Sequence, residues 1–172
     1  MSEIRNTLYK LVFVSFPDHS AAHNSLEYLK QIQHQHQLKI EDVAIIERDS
    51  DGQLKIQELQ DIGGIKGAGI GSISGAVVGM IAGPLGMVFG AVAGAITGGL
   101  TAHFFDAGIP DDDLHLAAEA LANNTSALII LLPEENTLQL LEAFSLKGVK
   151  VVEMTLNKTT SEKVTEAVKR NS

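Results

Sequence analysis

A chain of 172 residues is long enough for one compact domain with a real core and an insertion. Its 13 basic and 21 acidic residues give a net charge of −8, which argues against the concentrated basic face that phosphate-backbone binding needs. There is no cysteine, so a disulfide framework, a thiolate metal site and a cysteine nucleophile are excluded.

The N-terminus, MSEIRNTLYKLVFVSF, mixes charges ahead of a short β-like run and has no apolar region followed by a small-residue cleavage site. No secretory signal is read there, and the expected location is the cytoplasm or the cytoplasmic side of a membrane. LYKLVFVSF is a β-branched and aromatic run of strand length. Pro17 ends it, and Asp18 or Ser20 can cap the next helix. Ala22, Leu26, Leu29 and Ile32 recur at helical spacing, so HSAAHNSLEYLKQIQ reads as an amphipathic helix. IEDVAIIERDSDGQLKIQEL predicts two strands joined by a tight turn at Asp51-Gly52.

Residues 1–61 hold six basic and ten acidic side chains, and residues 106–172 hold six and eleven. Between them, residues 62–105 carry one charge, Lys66. Glycine recurs through this block at Gly67, Gly71, Gly75, Gly79 and Gly83, then at Gly86, Gly90, Gly94 and Gly98. Pro84 separates two apolar stretches, 63–82 and 86–105, each roughly 30 Å long as helix at ~1.5 Å per residue. Proline with glycines beside it suits a turn, so an antiparallel helical hairpin is expected. Each interior glycine costs about 1 kcal/mol of helix propensity relative to alanine, which close helix packing along a small-residue stripe can offset. A flexible linker is the competing reading. It does not fit a stretch whose other faces carry Ile70, Ile73, Val77 and Ile81, then Leu85, Phe89, Val92, Ile96 and Leu100.

In the third block, DDDLHLAAEALANN reads as a helix and SALIILLP as a buried strand ending at Pro133. ENTLQLLEAF follows as a helix with Leu138, Leu141 and Phe144 inward, closed by Gly148. VKVVEMTL alternates like a strand, and SEKVTEAVKR is a last helix. Both outer blocks share the order strand, proline, acidic cap, helix, strand. Two βαβ halves of this kind build a ferredoxin-like sheet. The expected fold is therefore an α+β ferredoxin-like sandwich. Residues 1–61 form its first half, 62–105 an inserted glycine-zipper hairpin, and 106–172 its second half.

Candidate chemistry is sparse. His19 and His23 stand at i, i+4, a spacing that can share a metal on one helix face, but no third ligand follows and surface histidines are the simpler reading. His34 and His36, at i, i+2, point to different sides of a helix. Asp111, Asp112 and Asp113 precede LHLAAEAL and are read as a helix cap complementing the dipole, in preference to a cation site. DSDG resembles the start of a calcium loop without its later glutamate. GAGIGS lacks both a preceding βαβ strand and a GK[ST] signature, so no nucleotide is expected. No catalytic residues, metal or cofactor are expected.

FPDHSAAHNSLEYL, DVAIIERDSDGQLKI, the zipper around GPLG, DAGIPDDDL and TSALIILL together resemble a family of uncharacterised bacterial proteins. It is a domain of unknown function, described as a predicted membrane protein and linked to general stress. The resemblance covers roughly residues 8–157 and departs from the family at NNTSAL, where a Pro-Gly is expected before Ser-Ala-Leu. It implies no activity, cofactor or catalytic residue.

The expected function is non-enzymatic self-association through the nine ladder glycines, with this chain as its own partner and a lipid bilayer as a second contact. The alternatives are a soluble homo-oligomeric scaffold with the zipper buried between subunits, a small-ligand or metal sensor, and a pore of associated hairpins.

Overall fold

The computed structural model describes residues 7–36, 38–58, 109–145 and 148–171. In chain order the strands are β1 (Tyr9–Phe16), β2 (Asp42–Arg48), β3 (Leu54–Glu58), β4 (Thr125–Pro133) and β5 (Lys150–Thr155). The helices are α1 (Ala21–His36), α2 (Asp111–Ala120), α3 (Thr137–Ser145) and α4 (Lys158–Asn171).

The strands form one sheet in the order β3-β2-β4-β1-β5, and every neighbouring pair is antiparallel. Because β4 runs antiparallel to both β2 and β1, those two are parallel to each other with β4 between them. By the same logic β4 and β5 are parallel and flank β1. Each strand–helix–strand unit, β1-α1-β2 and β4-α3-β5, is therefore split by a strand of the other. The faint repeat in the sequence has a spatial meaning: the two units interlock at the centre of the sheet.

Both faces of the sheet are covered. Val12, Val14 and Phe16 of β1 pack with Leu26, Leu29 and Ile32 of α1 and Leu140 and Phe144 of α3. Leu11 and Phe13, one residue out of step, pack on the other face with Ala117 of α2 and Val164 of α4. Double coverage explains why β1 and β4 read as nearly unbroken apolar runs: a strand buried on both faces has no polar side to alternate with. Edge-to-face ring contacts join Phe144 to Phe16 (6.3 Å between centroids) and to Tyr28 (5.9 Å), tying α3 to β1 and α1.

Three local expectations are corrected. Leu138, expected inward, is 68% exposed, while Thr137, Leu140 and Phe144 form the buried stripe of α3. A 3₁₀ turn over Glu134–Asn136 precedes the helix and sets its phase one residue away from that expected. Leu141 is half-buried. The β2–β3 connection is wider than a two-residue turn. Asp49 N–H donates to Gln53 O (3.0 Å), and Asp49 Oδ1 accepts from the N–H groups of Asp51 and Gln53 (both 2.9 Å). Gly52 sits inside this loop at φ +81°, the left-handed region that glycine enters without steric cost. Asp111–Asp113 form the first turn of α2 itself, so they sit where acids complement the dipole as expected, but the N-cap is Pro110, with no side-chain capping hydrogen bond.

Candidate functional site

The ladder glycines Gly67, Gly71, Gly75, Gly79, Gly83, Gly86, Gly90, Gly94 and Gly98, with Pro84, lie outside the described residues. The structure shows where the chain leaves the sheet and where it returns. It leaves from the C-terminal end of edge strand β3, where Glu58 stands opposite Ala44. It returns through Ile109, which packs against the core under α2 and α4, into Pro110 and the first turn of α2. Ser15 Oγ holds the far end of α2 by donating to Ala120 O (2.6 Å).

A polar corner forms at the end of the sheet from which β3 departs. Glu41 N–H donates to Leu131 O (2.8 Å), while Asp42 is the register partner of Leu131. Two residues thus stand against one, the count of a bulge at the start of β2. The Glu41 side chain is only 1% exposed, and neither carboxylate oxygen accepts a hydrogen bond among the described residues. Its Oε1 lies 3.2 Å from Nζ of Lys39, which is 57% exposed. Tyr9 faces the same corner. Its N–H donates to Ser161 Oγ (3.2 Å), on the same helix turn whose Ser161 carbonyl accepts from Thr165 Oγ1 (3.0 Å). Burial is the first cause that raises the Tyr9 pKa above its ordinary value, with the Glu41 and Glu135 charges adding to it against the nearby Thr165 hydroxyl and Lys39.

The opposite end is held by side chains that reach far along the chain. Ser126 Oγ accepts from Ala22 N–H (3.0 Å) and donates to Asp18 O (2.6 Å), so a buried β4 hydroxyl caps the first turn of α1. Asp18 Oδ1 accepts from Ser20 N–H (2.8 Å) and Ser20 Oγ (3.0 Å), and these bonds hold its carboxyl below the ordinary value. Arg48 Nη1 donates to Leu121 O (3.0 Å), placing a cation where α2 ends.

His19 lies 3.8 Å from Glu47, and His23 is exposed. No group of three or more histidines, cysteines and acids that could hold a metal occurs among the described residues. No helix among them is long and apolar enough to cross a membrane.

Among the described residues, sheet and helices define an α+β protein with a five-stranded antiparallel sheet and two helices on each face, the glycine-rich stretch following β3 and preceding α2 in the chain. The chain belongs to a family of proteins of unknown function, DUF1269, whose match covers residues 66–169. That span begins at Lys66, immediately before the first ladder glycine, and runs through β4, α3 and β5 into α4. No curated protein and no solved structure matches the chain.

Proposed function

We propose that this chain is a non-enzymatic self-associating protein whose glycine zipper, within residues 62–105, packs helix against helix between copies and holds the assembly at a membrane. The observation that carries this reading is the recurrence of glycine at four-residue steps through a block with a single charge. The strand order supports treating the block as an insertion. Among the described residues, β2-β4-β1-β5 follows the order of a ferredoxin-like sheet built from two βαβ halves, with the block falling between the halves in sequence. The family match supports it too, since it takes in the ladder together with the second half. In this reading the sheet domain lies on the cytoplasmic side, because a hairpin returns its two ends to one face.

The test is carbonate washing of membranes followed by size exclusion with light scattering, with and without detergent. The bilayer reading expects protein that stays in the washed pellet and is released as an oligomer only by detergent. A discrete oligomer in the soluble fraction without detergent would instead support a scaffold with the zipper buried protein against protein. A monomer under both conditions would overturn self-association.

A further inference from the structure

We draw no further inference here: the strongest candidate, the buried Glu41 carboxylate at the bulge where β2 begins, is already ion-paired with Lys39, and no metal-holding group of side chains accompanies it among the described residues, so nothing in the structure shows what ligand it would take.

Discussion

A carboxylate taken out of water without a hydrogen-bond donor is costly, and among the described residues Glu41 has the half-exposed Lys39 ammonium alone to offset that cost. Replacing such a group with an apolar side chain of similar shape is often neutral or favourable. Glu41→Met is therefore expected to leave stability unchanged or raise it by about 1 kcal/mol. Lys39→Ala strands the charge and is expected to cost about 1 kcal/mol, a figure kept low because the lysine faces solvent. Urea midpoints of the two variants check this, and a clear loss in Glu41→Met would mean that the carboxylate holds the bulge together. Tyr9 gives a pH dependence at the same corner. Its folded pKa is raised above the ordinary 10.0, so the folded state keeps the phenol proton longer than the unfolded chain does. The resulting stabilisation is complete below about pH 10 and is lost as pH rises through the folded value. Tyr9→Phe is expected to flatten the alkaline limb of a stability–pH curve measured between pH 9 and 11; an unchanged limb would assign the loss to other groups. None of this corner was legible in the sequence. IEDVAII looks like an ordinary strand entry, and no local pattern says that Glu41 N–H and Asp42 will share Leu131. The Ser126 cap was equally hidden, because its partner Ala22 lies 104 residues away.

At the level of elements, legibility followed burial. β1 and β4 were readable because double coverage makes their sequences apolar without interruption. The α1 stripe was readable because Ala22, Leu26, Leu29 and Ile32 all point at one sheet face. α3 was readable as a helix and misread in phase. Its leucines at 138, 140 and 141 permit two neighbouring stripes, and the 3₁₀ turn after Pro133 decides between them. The choice has an energetic consequence. Leu140 is fully buried beside Phe144, so Leu140→Ala is expected to cost 2–5 kcal/mol, roughly the range for a buried leucine truncated to alanine. Leu138→Ala removes an exposed side chain and is expected to change stability by less than about 0.5 kcal/mol. Thermal or denaturant unfolding of the pair tests the phase directly. A larger loss at Leu138 than at Leu140 would place the helix in the phase first expected. The β2–β3 loop shows a different limit: Asp-Gly marks the bend, but its width depends on Asp49, two residues upstream, accepting from both Asp51 and Gln53.

For the whole molecule, the glycine ladder sets a geometric demand. On a straight helix of 3.6 residues per turn, a four-residue step advances the stripe by about 40° beyond a full turn, so a parallel neighbour would lose contact with it. An inclined, right-handed crossing stays with the stripe, and glycine lets the two backbones approach closely there. The proposed assembly can be tested through this demand because helix formation and helix packing respond to substitution in opposite directions. Leucine is the better helix former by nearly 1 kcal/mol per site, so Gly75→Leu and Gly94→Leu should leave helical content unchanged or raise it. The same leucines would separate packed backbones and are expected to lower the assembly mass measured by light scattering. Neither substitution falls in a strand of the described sheet, so the unfolding midpoint of its core should stay close to that of the parent chain. Reduced mass with intact helicity and an unshifted midpoint would locate self-association in the ladder. Both variants assembling like the parent chain would show that the ladder is not the contact surface, leaving the four-residue repeat without the role proposed for it.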